Sequence, residues 1–108
     1  MVEGGDSMKR NKYVVCADGF RMSVQANDTA YCTPRVNAAP CYSQVEVGFP
    51  NASEPLLMRY AEDPSSPTDT VYPYVPVETV TNVILKHGGF VEGEVPPGVY
   101  PLEPTCEP

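Results

Sequence analysis

Apolar and polar side chains alternate through the first half of the chain. The runs Tyr-Val-Val-Cys-Ala at 13–17 and Phe-Arg-Met-Ser-Val-Gln-Ala at 20–26 flank Asp18-Gly19, and this dipeptide between two such runs signals a β-hairpin. A two-residue type I′ turn is predicted. It sets Ala17 opposite Phe20, Val15 opposite Met22 and Tyr13 opposite Val24 on an inward face. The other face then carries Cys16 across from Arg21 and Val14 across from Ser23, and is partly solvated.

Residues 27–40 are rich in turn formers and have no period, so an irregular excursion tethered by Tyr31 is expected. Alternation resumes over 44–49 and predicts a third strand with Val45, Val47 and Phe49 inward, stopped by Pro50-Asn51. A fourth strand is predicted over 56–60. Residues 62–69, with Pro64, Pro67 and two serines, form an exposed loop. Residues 71–75 fit a strand confined to a sheet edge, because Pro73 removes a ladder donor.

The period then changes to that of a helix over 76–86. Pro76 suits the first helical position, Glu78 the first turn, Lys86 and His87 the last, and Gly88-Gly89 the stop. Val77, Val80, Val83, Ile84 and His87 share one stripe, with Thr79, Asn82 and Lys86 opposite it. The fold class predicted is α+β, an antiparallel sheet of four to five strands with one C-terminal helix packed on one face.

The chain has 108 residues, 42% of them hydrophobic and 19% charged, which suits one compact domain. That domain is expected over 12–94. Residues 1–11 read as a leader, Glu3-Gly4-Gly5 having codons that can spell a ribosome-binding sequence and Met8 standing as a candidate initiator. The proline-rich stretch 95–108 reads as an extended tail.

The net charge of −7 has the wrong sign for holding phosphates, so direct nucleic-acid binding is not expected. A partner with a basic face would be drawn to it. Neither a signal peptide nor a membrane span is visible, so no membrane association and a cytoplasmic setting are expected. The glycosylation patterns at Asn27-Asp28-Thr29 and Asn51-Ala52-Ser53 are then chance matches.

Cys16, Cys32, Cys41 and Cys106 show no Cys-x-x-Cys spacing, so four free thiols are expected in a reducing cytoplasm. A metal set of Cys32, Cys41, Cys106 and His87 would have to assemble in space without paired ligands. Cys16 beside Arg21 has the setting of an activated thiolate, but a nucleophile also needs a base, and His87 suits the helix end by its charge alone. The carboxylates Glu46, Glu54, Glu62, Asp63, Asp69, Glu92 and Glu94 show no acid–base spacing. No phosphate loop or nucleophile elbow is present, and no cofactor is expected. Tyr72, Tyr74 and Tyr100, set among prolines, are candidate interaction residues because rigid amphipathic rings give contact area at low entropic cost.

The strings Tyr-Val-Val-Cys-Ala-Asp-Gly-Phe-Arg-Met-Ser-Val-Gln-Ala from Tyr13, Tyr-Cys-Thr-Pro-Arg from Tyr31, Val-Glu-Val-Gly-Phe-Pro from Val45 and Val-Tyr-Pro-Tyr-Val-Pro from Val71 resemble the small uncharacterised proteins of tailed bacteriophages and prophages. The resemblance covers most of 12–89 and carries no functional residue. It implies an accessory protein, in the bacterial host cytoplasm or the virion, that works without catalysis by binding a host or phage protein. The alternatives are a minor virion component docked by its tail, an acidic mimic of DNA, and a small cysteine-dependent or metal-binding enzyme.

Overall fold

The computed structural model describes residues 10–99. The expectations for Met8, Tyr100, Cys106 and residues 100–108 lie outside them. Five strands form one antiparallel sheet: β1 (Val14–Cys16), β2 (Arg21–Gln25), β3 (Gln44–Gly48), β4 (Val71–Pro76) and β5 (Phe90–Glu92). Their spatial order is β4-β3-β2-β1-β5, with helix α1 (Val77–Lys86) between the two edge strands in sequence. The connection from β4 to β5 therefore passes from one edge of the sheet to the other, and α1 lies on that route.

The α+β class holds, and α1 ends at Lys86 as expected but starts at Val77, with Pro76 as its extended N-cap instead of its first helical residue. Val80, Val83 and Ile84 are fully buried, and they join Val14, Met22, Val24, Val45, Val47, Tyr72 and Val75 of the sheet in one core. The helix closes in a Schellman motif: Gly89 N–H donates to the Ile84 carbonyl at 2.8 Å and Gly88 N–H to that of Leu85 at 3.0 Å. Gly88 takes the left-handed conformation, φ +93, that the motif requires.

The β1–β2 hairpin corrects the predicted register. Gly19 N–H donates to the Cys16 carbonyl and Cys16 N–H to that of Phe20, so the loop has three residues, Ala17, Asp18 and Gly19. Gly19, at φ +95, occupies the bulge position that follows a type I turn. Val14 consequently pairs with Met22 and Val15 with Arg21. One added loop residue turns each β1 side chain to the opposite face: Val14 and Cys16 are buried, whereas Val15 and the exposed Tyr13 face outward.

Other departures have local causes. Phe49 adopts φ +50 as its N–H donates to the Thr70 carbonyl, which ends β3 and swings the ring out, 42% exposed. Residues 56–60 form turns and a short 3-10 helix (Met58–Tyr60) in place of a strand, burying Leu57 in the core and packing Tyr60 against it half-buried. β4 does lie at an edge, as Pro73 requires. The fifth strand is β5, at residues for which no strand was expected. Residues 95–99, expected to begin the tail, pack on the domain: Val99 is fully buried and Tyr42 N–H donates to the Pro97 carbonyl.

The excursion 27–43 is held by Ala30, Cys32, Ala39 and Tyr42, all in the core, while Tyr31 stays partly exposed. Tyr42 donates its hydroxyl proton to the Val36 carbonyl and accepts the Ala39 N–H. On the outer face, Gln25 is buried yet satisfied by Ser23 and by both backbone groups of Asn11. No helix among the described residues is long and apolar enough to cross a membrane.

Candidate functional site

A dense polar cluster forms where three separate segments meet. The turn after β1 contributes Asp18, the loop after β3 contributes Glu54, and the C-terminus of α1 contributes His87. The ring of His87 lies between the two carboxylates, with Nδ1 2.6 Å from Asp18 Oδ2 and Nε2 2.7 Å from Glu54 Oε1. Lys86 Nζ donates to the second Glu54 oxygen at 2.9 Å, and the Leu56 N–H donates to the same oxygen at 2.8 Å. Glu54 is 1% exposed. Phe20 supports the imidazole from one face, and Asp18 Oδ1 accepts the Phe20 N–H.

The electrostatics follow from these contacts. Burial pulls the His87 pKa down, but hydrogen bonds to Glu54 and Asp18 and their charges more than offset it, so the net direction is up. Asp18 is lowered, first by the Phe20 amide and then by His87. For Glu54, burial raises the pKa, yet the Leu56 amide, His87 and Lys86 together bring it below the ordinary value. Two acceptors on opposite ring nitrogens require both to carry protons, so the arrangement favours imidazolium. Its positive charge also complements the C-terminal end of α1.

This geometry suits a structural clamp better than acid–base catalysis. Both nitrogens of His87 are engaged by carboxylates, leaving neither to take a proton from a thiol. Cys16 lies opposite Phe20, not Arg21, and burial with the nearby Asp18 charge pushes its thiol up, away from the activated thiolate. Nor do the carboxylates converge on one ion, because the two ring nitrogens diverge. Among the described residues, no group of three or more His, Cys, Asp or Glu could hold a metal.

Of the metal set considered above, Cys32 directs its thiol to the Asn27 and Pro34 carbonyls, and His87 is held as described. Cys41 is disulfide-bonded, while Cys16 and Cys32 are free. This corrects the expectation of four free thiols, which rested on compartment; spacing along the chain does not show which cysteines the fold brings together.

The tyrosines divide. Tyr72 is fully buried, pairs with Val47 across the sheet and donates its hydroxyl proton to the Pro67 carbonyl, so it offers no surface to a partner. Its pairing with the inward Val47 puts it in the core. Tyr74 is 41% exposed, and its ring lies 5.9 Å from that of Tyr31, itself 38% exposed. The Arg35 guanidinium sits 5.2 Å from the Tyr31 ring centroid. Tyr74 stands at a ladder irregularity with φ +55 and donates its N–H to the Tyr31 carbonyl. Pro73 beside it was the available sequence signal for such an irregularity.

A broader groove of about 670 Å³ crosses the outer face between Lys12, Arg21, Glu92 and Glu94. Glu94 accepts the Lys12 backbone N–H, and Arg21 lies over Tyr13. The groove therefore presents charges of both signs. No family model, curated protein or solved structure matches the chain.

Proposed function

We propose that the protein acts without catalysis, by binding another protein through the surface of Tyr31, Arg35 and Tyr74, as an accessory protein of a tailed bacteriophage or prophage. The observation that carries this reading is Tyr74, an aromatic residue held in the left-handed conformation with its ring exposed beside that of Tyr31. A non-glycine residue in that conformation costs roughly 1–2 kcal/mol, and the ring it carries stays 41% exposed. Tyrosine and arginine are also the side chains that most often dominate protein interfaces.

The chain's charge of −7 favours a partner whose approaching face is basic, and the attraction should weaken as salt screens it. The test is quantitative capture from a host lysate on immobilised protein. The Tyr31→Ala/Tyr74→Ala pair is compared with wild type and with Thr68→Ala on the exposed 62–69 loop. A protein retained by wild type and Thr68→Ala but lost by the double variant, with retention falling as salt rises, supports the reading. Equal retention by all three would reject this surface. Detection of the chain in purified virions would instead favour a structural role.

A further inference from the structure

We propose that the Asp18–His87 contact is a pH-operated latch: imidazolium ties the hairpin turn to buried Glu54, and the neutral ring keeps Glu54 while releasing Asp18. The geometry carries the first half. Ring nitrogens within 2.6 and 2.7 Å of two carboxylates can both donate only while the ring is charged. A neutral imidazole has one N–H, so deprotonation must turn one contact into a lone pair facing a carboxylate.

Solvent exposure decides which contact goes. The charged groups around the ring are Asp18 from the hairpin turn, Glu54 from the 49–57 loop, and Lys86 from α1 acting through Glu54; the Cys16 thiol of β1 lies within reach of the Asp18 charge. The Glu54 side chain is 1% exposed and that of Asp18 50%. An acceptor left buried without its donor bears a desolvation penalty, whereas one at the surface can be rehydrated. The Nδ1 proton therefore leaves to solvent, and Nε2–H stays on Glu54. Asp18 Oδ2 turns to water while its Oδ1 continues to accept the Phe20 N–H. The hairpin turn is then joined to the helix end by two backbone bonds, Ala17 N–H to the Gly89 carbonyl and Asp18 N–H to that of His87, and it stays tied to the 49–57 loop by Asn51, whose side chain accepts the Arg21 N–H and donates to the Gly19 carbonyl.

His87 is the sole histidine, so multiple-bond proton–nitrogen NMR on the ¹⁵N-labelled full chain reads its protonation and tautomer directly. Both nitrogens should be protonated in mild acid, and Nδ1 should become the unprotonated one as pH rises. The Phe20 amide should shift with the same midpoint. In Asp18→Asn, where the amide oxygen still caps Phe20, that midpoint should move down. An Nδ1–H tautomer at high pH, or a Phe20 amide indifferent to the ring, would overturn the latch, as would an unmoved midpoint in the variant. The wild-type tautomer decides alone if Asp18→Asn does not fold.

Discussion

Phe20 and His87 lie face to face, with ring centroids 4.3 Å apart and planes 13° from parallel. Phe20 is buried where the hairpin leaves its turn, and His87 caps the helix, so the stack joins the hairpin to the C-terminal end of α1. A charged imidazole gains from the ring's electron-rich face as well as from its two carboxylates.

Stability should fall on both sides of a mildly acidic window. A raised His87 pKa gives stabilisation that is complete below its ordinary value of 6.5 and is lost as pH rises through the folded value. The lowered pKa values of Asp18 and Glu54 give stabilisation present above 3.8 and 4.5 and lost as pH falls through their folded values. Urea titrations at about pH 5.5 and about pH 8.5 should show the higher midpoint at the first. His87→Gln should remove most of that difference, and an unchanged difference in the variant would contradict the assignment.

Truncating Ile84 to Ala should cost about 2–5 kcal/mol, because its side chain is fully buried between α1 and the sheet. Asn82→Ala, on the exposed face of the same helix, should change stability by no more than about 0.5 kcal/mol. Denaturant titration compares them, and equal effects would mean that the stripe does not pack.

Two glycines separate backbone strain from collision. At Gly19, φ +95, an added Cβ meets nothing within 4 Å, so Gly19→Ala should cost only the conformational term of about 1–2 kcal/mol. At Gly93, φ +109, the same atom would fall 2.2 Å from the Tyr13 carbonyl oxygen. Gly93→Ala should cost clearly more, since backbone must shift and an overpacking penalty of about 1–3 kcal/mol is added. Thermal unfolding of the two variants side by side gives the ranking.

Cys16 and Cys32 should resist alkylation in the folded protein. Both are buried, and burial pushes both thiols up. Mass spectrometry after iodoacetamide treatment should find them modified only once the protein is denatured. Rapid native modification of Cys16 would revive it as a reactive residue.

The helix was legible because its signals are local: Pro76, Glu78, Lys86 and Gly88-Gly89 each act within a turn of an end. The hairpin was legible as a hairpin but not in its register. Asp-Gly fits the centre of a two-residue turn and also the last two places of a three-residue loop ending in a bulge, and one residue exchanges the faces. The Leu-Leu-Met-Arg-Tyr run at 56–60 satisfied a strand's composition, although only Leu57 is fully buried. The clamp had no local signature. Asp18 and Glu54 stand 69 and 33 residues from His87, and it is the passage of α1 across the sheet that closes those separations.

Pro73 has a consequence for how copies of this chain meet. It leaves a gap in the row of donors along β4, and the neighbouring Tyr74 N–H is taken by the Tyr31 carbonyl, so this border offers an incoming strand no continuous run of partners. The opposite border, β5, is three residues long. Sheets that stack edge to edge need unbroken ladders on both sides to propagate, and here neither side provides one. The same irregularity that turns Tyr74 outward thus also guards a valine-rich, antiparallel domain against growing into a larger sheet at high concentration.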